Sequence, residues 1–312
     1  MKNNKVVNIA GYRFIDLPDR DDLRSPFLDR CEELGLKGTI LLSPNGINFS
    51  LSGSKESING YLEFLESDER FVGIPLKVTY NDYQPFRRML VRLKKEIISL
   101  GMDNIKPAEF TGPNIKPTEF QEMLDNEEEV IVLDTRNDYE VRVGTFKNAV
   151  DLKIPSFRDF PDAISKLPEE YKKKQIVMFC TGGIRCEKAS AVMLKSGFEN
   201  VKQLEGGILN YFKDTDASHW DGDCFVFDDR VAVDKELNET DQHQSALITK
   251  IPSTADTAQQ EFCLINRCKS VRNISQCVYT QVTKIPSIIC ISQQGVCLIN
   301  GCKSARNISN WV

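Results

Sequence analysis

The sequence predicts an α/β protein of two domains followed by an irregular C-terminal tail, and three observations point to it. The 312 residues are 41% hydrophobic, enough for about two cores at roughly 150 residues each. Short apolar runs alternate with helical patterns as far as residue 215, and the composition then changes near residue 241. The 40 Lys and Arg against 45 Asp and Glu leave a net charge of -5, so any nucleic-acid contact is a local patch rather than a basic coat. Met1-Lys2-Asn3-Asn4-Lys5 carries no signal-like apolar core, and about 18 apolar residues never occur together, so the expectation is a cytoplasmic protein without a membrane span. Ten cysteines in such a reducing compartment suggest thiol chemistry or metal binding. Two histidines, His219 and His243, leave little with which to build a histidine metal site or a Cys-His pair.

Residues 1–101 read as the first domain. Val6 to Phe14 is an apolar stretch, and Asp19-Arg20-Asp21-Asp22 opens a helical pattern through Leu23, Phe27, Leu28, Cys31 and Leu34 that Gly35 ends. Gly38 to Leu42 and Ile47 to Leu51 flank Ser43-Pro44-Asn45-Gly46, which is hairpin chemistry. A second helix places Ile58, Tyr61, Leu62 and Leu65 on one face, and a strand follows from Leu76 to Tyr80. The order β-α-β-β-α-β is the ferredoxin-like arrangement, a small sheet with helices on one face. Next comes the most basic stretch, with Arg87, Arg88, Arg92, Lys94 and Lys95. If Met89, Val91 and Leu93 point inward, a period of two turns Arg88, Arg92 and Lys94 outward, as a phosphate-reading face or as an ordinary solvated one.

Residues 102–117 hold three prolines and the first part of a near-duplication, Asn104 to Phe110 against Asn114 to Phe120, and read as a linker. From 118 to 215 strands and helices alternate: Glu129 to Leu133 ends at Asp134, Gln175 to Phe179 ends at Cys180, Val201 to Leu204 follows, and Cys186 to Lys195 is helical through Ala189, Val192 and Met193. Such alternation predicts a parallel sheet with its site at the carboxyl ends of the strands.

The chemistry concentrates at Cys180-Thr181-Gly182-Gly183-Ile184-Arg185, between a strand and a helix. Two glycines let successive N-H groups converge, the helix adds its positive end, and Arg185 closes the loop. Such a cradle stabilises an anion and lowers the pKa of a thiol at Cys180. Cys186 is a candidate helper that resolves an oxidised Cys180 as a disulfide, or else a cysteine packed in the first helical turn. Arg136 and Glu140 either brace the loop or pair with each other, the second being preferred. Asp134 either accepts loop hydrogen bonds or caps the next turn. His219 and Trp220 either contact a base or serve structure, and Cys31 and Cys224 read as core.

With Asp134-Thr135-Arg136, Tyr139-Glu140, Gly144 to Ala149, the cysteine loop and Leu204-Glu205-Gly206-Gly207-Ile208, residues 118–215 resemble a rhodanese domain, in which a six-residue loop implies a persulfide-carrying cysteine. Gly38 to Leu42, Gly46-Ile47-Asn48, Pro85 to Met89, Lys94 to Ile97 and Cys224 to Val233 extend the likeness. Over residues 5 to 243 the chain resembles the oxygen-dependent tRNA uridine hydroxylases. That resemblance implies conversion of the wobble uridine to 5-hydroxyuridine, with Cys180 catalytic, molecular oxygen as co-substrate, tRNA as partner and residues 216–243 as a family extension. No cofactor motif or metal site is read, the electron source is open, and the basic strand is the candidate tRNA contact. The alternatives are a persulfide sulfurtransferase and a non-enzymatic RNA-binding module.

The tail, 244–312, departs from the family, because no CxxC follows Asp241 and His243. It repeats with a period of 34, Thr249 to Ser253 recurring at Thr283 to Ser287, Cys263 to Asn266 at Cys297 to Asn300 and Arg272 to Ser275 at Arg306 to Ser309. Six of the ten cysteines lie there, among them Cys263, Cys268, Cys297 and Cys302, whose four-residue gaps are a weak zinc signal, and the expectation is a duplicated, poorly ordered segment.

Overall fold

The first sheet is built from β1 (Val6–Phe14), β2 (Lys37–Ser43), β3 (Gly46–Gly53), β4 (Lys77–Asn81) and β5 (Met89–Leu93), with α1 (Arg20–Glu33) and α2 (Lys55–Glu66) packed against it. The strand order is β4-β1-β3-β2-β5, and only the β2–β5 pair is parallel. The β-α-β-β-α-β expectation therefore holds, with one added strand on the β2 edge. The computed structural model describes residues 5–240 and, further on, 277–280, 287–292 and 295–300. The chain divides into two units, residues 1–250 and 251–312.

Local chemistry accounts for these elements. Gly46 holds φ at +142°, and a Cβ there would lie 2.1 Å from the carbonyl of Arg13, so the β2–β3 turn requires glycine. The Ser54 hydroxyl accepts a hydrogen bond from Ser57 N at 3.0 Å and caps α2. Ile58, Tyr61 and Leu65 then pack with Phe27, Cys31, Ile40, Leu42, Phe49 and Leu51, each large apolar side chain contributing about 1.5–3 kcal/mol. One inward-facing expectation fails. Leu93 is 37% exposed, because β5 is an edge strand that stops there, while Met89 and Val91 join the core. Arg87, Arg88 and Lys95 are exposed and Arg92 and Lys94 half-buried.

The second sheet contains β6 (Asn114–Ile115), β7 (Ile131–Asp134), β9 (Val150–Asp151), β10 (Gln175–Phe179) and β11 (Asn200–Leu204) in the order β6-β11-β10-β7-β9, all parallel. Around it lie α3 (Pro117–Asp125), α4 (Asp138–Val141), α5 (Phe160–Ile164), α6 (Ile184–Lys195) and α7 (Gly207–Asp214). β10 is apolar through Ile176, Val177, Met178 and Phe179 because it is buried on both faces, as parallel strands are. β8 (Gly144–Phe146) pairs with β12 (Trp220–Gly222), and β13 (Cys224–Phe225) with β14 (Ala232–Val233).

Segment 102–117 is not a loose tether. Leu100 and Ile105 are buried in the core of the second domain, and Gly112 N donates to Ser190 Oγ at 2.9 Å. The two copies of the near-duplication diverge: Asn114 and Ile115 form β6 and Pro117 starts α3, the position at which a missing N-H costs nothing. The first copy runs into Gly112-Pro113 and forms turns. Residues after β12 clasp both domains, with Arg230 Nη1 donating to Thr79 Oγ1 at 2.7 Å and Asp229 N to the Pro85 carbonyl at 3.2 Å.

In the tail, β15 (Cys277–Thr280), β16 (Ser287–Ser292) and β17 (Gly295–Asn300) form an antiparallel sheet in which Cys290 lies opposite Cys277 and Cys297. Asp241, His243, the first copy of the repeat, Cys263, Cys268 and Cys302 lie outside the described residues, and the expectation of poor order falls mostly there. Among the described residues no helix is long and apolar enough to cross a membrane.

Candidate active site

Cys180 stands one residue past β10, at the carboxyl edge of the sheet, with its side chain fully buried. The chain then turns through Gly183, whose φ of +97° serves as the cap of α6. This turn aims Gly183 N at Cys180 Sγ, 3.1 Å away. Burial opposes a charged thiol, but the Cys186 thiol, the Arg185 guanidinium and the backbone N-H groups of Arg185 and Cys186 outweigh it and hold Cys180 down at about 5. Cys186 is pushed the other way by burial and by the neighbouring Cys180 sulfur, so it remains a thiol that donates to a thiolate. Thr135 Oγ1 lies 3.6 Å from Cys186 Sγ.

The loop is braced by Glu140 and by α7, with Asp134 and Arg136 fixing the neighbouring strand end. Glu140 grips Arg185 through two bonds of 2.5 and 2.7 Å and accepts Thr181 Oγ1 at 3.3 Å. This corrects the preferred pairing of Arg136 with Glu140. Arg136 is instead bound to Asp134 at 2.6 Å and to the Gly144 carbonyl, because a carboxylate two residues back at a strand end lies closer than one on the next helix. Asp134 caps this turn through Arg136 N and also accepts Thr145 Oγ1. On the other side, Ile208 N and Leu209 N at the start of α7 donate to the carbonyls of Cys180 and Thr181. A Cβ on Gly207 would come within 2.3 Å of the Cys180 carbonyl, so the double glycine seen in the sequence is what lets α7 approach.

Sequence reasoning missed the residues that close the site from the other domain. Tyr12 on β1 donates to Glu187 Oε1 at 3.3 Å, and a Cβ on Gly183 would lie 3.0 Å from its hydroxyl. Lys77 on β4 places its ammonium 5.1 Å from the Tyr12 ring centre, with its Cε 4.0 Å from where a Gly182 Cβ would sit. Gly182 has no positive φ, and a Cβ there would make only an ordinary contact with the Lys77 stem, so of the two loop glycines it is Gly183 whose backbone conformation calls for glycine. Tyr12, Lys77, Glu187, Glu205 and Asn210 line a cleft of about 310 Å³. Ile184 begins α6 and is half-buried.

The basic strand is elsewhere. β5 and β4 are opposite edges of the first sheet, four strand spacings or about 19 Å apart, and β4 is the one at the cysteine loop. Trp220 is core, packed on Phe146, Phe179 and Phe212, and His219 is bound to Asp125 at 2.6 Å. Cys31 and Cys224 are buried, as expected. Among the described residues no cluster of three or more His, Cys, Asp or Glu could hold a metal ion.

Residues 6–97 match the UPF0176 acylphosphatase like domain and residues 116–214 the rhodanese-like domain. A tRNA uridine(34) hydroxylase of Cupriavidus taiwanensis is 49% identical over 238 residues, covering 75% of this chain and 84% of that protein. The chain belongs to the tRNA uridine(34) hydroxylase family. A family member from Cupriavidus metallidurans is 43% identical over 278 residues, 82% of this chain and 99% of its own length. Another from Legionella pneumophila is 46% identical over 235 residues, 75% and 92% respectively. The cysteine loop lies within the rhodanese-like match of this family member.

Proposed function

We propose that this protein hydroxylates uridine 34 of tRNA at C5, with molecular oxygen as co-substrate and Cys180 as the nucleophile. The observation that carries the reading is a buried Cys180 whose sulfur accepts the Gly183 N-H at 3.1 Å in the loop after β10, in a chain whose curated relatives are tRNA uridine(34) hydroxylases. Those names favour hydroxylation over sulfur transfer.

A thiolate is suited to add to C6 of a pyrimidine. The Sγ–C6 bond forms while the C5=C6 electron pair moves through C4 onto O4, leaving an enolate that is nucleophilic at C5, where oxygen is intercepted. Uridine, one O2 and the two thiols of Cys180 and Cys186 balance against 5-hydroxyuridine, one water and a Cys180–Cys186 disulfide, which an external thiol reduces. In this scheme Cys186 is the helper, supported by its proximity to Cys180, whose pKa it lowers while its own is raised. Thr181, Gly182, Gly183, Ile184 and Arg185 cradle the sulfur, Asp134, Arg136 and Glu140 support the loop, and Arg87, Arg88, Arg92, Lys94 and Lys95 hold tRNA phosphates away from the chemistry.

The test is mass spectrometry of nucleosides from unmodified tRNA incubated with the protein in air, under nitrogen, and with Cys180→Ser. Gain of one oxygen on uridine 34, dependent on both air and Cys180, is the expected result. Equal gain by Cys180→Ser, or no gain with persulfide accumulating on Cys180, overturns it.

A further inference from the structure

We propose that Lys77, carried by the first domain, is a catalytic residue of the site in the second: its ammonium meets the oxygen anion that forms on the substrate base when Cys180 attacks. The inference rests on the hydroxylase reading above and adds to it a residue outside the rhodanese-like domain.

Lys77 is the first residue of β4, the edge strand that faces the cysteine loop. Its stem passes Gly182, two residues from Cys180, and its ammonium lies over the Tyr12 ring. A half-buried lysine normally finds a carboxylate. Glu187 is engaged by Tyr12, Thr111 and Gln203, and no carboxylate is within ion-pair distance of Lys77 among the described residues. Its surroundings are therefore an aromatic face, a glycine, the cleft and the charges of Cys180, Glu187 and Glu205. Burial lowers its pKa and those three anions oppose the shift. Tyr12 is fixed by its bond to Glu187, so it holds the ammonium by cation–π attraction without neutralising it. A cation beside the cysteine loop that is held by an aromatic face rather than by a carboxylate ion pair is pre-organised for negative charge that arises only during reaction.

The addition step supplies that charge. As Sγ–C6 forms, the displaced electron pair ends on O4, no electron leaves the base, and the ammonium donates a hydrogen bond to the new anion. Cys180 is neutralised as O4 becomes charged, so the negative charge passes from the cradle of the second domain to the lysine of the first.

Single-turnover conversion of uridine 34 and tRNA binding are measured side by side for the full chain and for Lys77→Met and Lys77→Arg, with thermal unfolding as a control on folding. Loss of one oxyanion donor is worth about 100- to 1,000-fold in rate. The expected result is a fall of that size in Lys77→Met, a dissociation constant within about threefold of the parent, and partial rescue in Lys77→Arg. A parent-like rate in Lys77→Met overturns the inference. So does a rate loss matched by weaker tRNA binding, which marks a phosphate tether, or a loss equal in both variants together with a lowered melting temperature, which marks a structural lysine. A parent protein that leaves uridine 34 unchanged overturns the hydroxylase reading itself.

Discussion

Cys180 is buried, yet its surroundings lower its pKa in spite of that burial. Gly183 N, the Cys186 thiol and the amides of the first helical turn converge on one sulfur, and Arg185 supplies the counter-charge. The consequence for stability has a definite sign. In the unfolded chain the thiol ionises near 8.5 and in the folded protein at about 5, so the group contributes stability that is full above the unfolded value and is lost as pH falls through the folded one. The stability difference between the parent and Cys180→Ser, followed by urea unfolding, is expected to widen as pH rises from 5 to 9, by at most about 1.4 kcal/mol per pH unit. A constant difference would show that the thiol is not ionised in the fold. The cysteine loop itself was legible in the sequence, since a cysteine at a strand end before two glycines has a local geometry. The partner of Arg136 was not, because two carboxylates lay within reach along the chain and the sequence alone does not show which of them the turn after β7 brings to the guanidinium.

The helices around the loop act as fixed walls. α7 holds the loop through backbone hydrogen bonds, and Gly207, with φ at +69°, leaves no room for a side chain against the Cys180 carbonyl. Gly207→Ala must push the loop or α7 aside, and a displacement near 1 Å costs on the order of 100-fold in rate. Turnover on tRNA is expected to fall by about that factor while tRNA binding stays near parental. Equal turnover would mean that the loop tolerates the shift. Strands and helices of both domains were readable from their periods, β10 and α2 most directly, because each keeps one pattern from end to end. β5 was readable only in part: a strand's existence is local, but which of its ends lies at a sheet edge is not, and Leu93 is exposed for that reason.

At the scale of the molecule, the proposed function divides substrate handling between two edges of one sheet. β4 faces the cysteine loop, and β5 carries or adjoins the basic residues on the far edge. A tRNA whose phosphates rest on β5 therefore presents its base some 19 Å or about four strand spacings away. Arg88→Glu with Arg92→Glu is expected to weaken tRNA binding and to lower the salt dependence of that binding by about one phosphate contact per arginine, while the single-turnover rate at saturating tRNA is retained. Unchanged salt dependence would remove β5 from the interface. The seam between the domains is also fixed by Lys188 with Glu96 at 2.5 Å and by Arg230 with Thr79.

By itself the sequence determined the order of elements, the parallel sheet and the position of the cysteine loop, because each depends on residues within about one element of each other. Only the tertiary structure decided that Tyr12 and Lys77 stand over the loop, that segment 102–117 is packed in place, and that the basic strand lies on the sheet edge opposite β4. These are contacts between residues 76 to 175 positions apart, set by which sheet edge meets which loop when the two domains bury their shared surface, and no local period or motif encodes that choice.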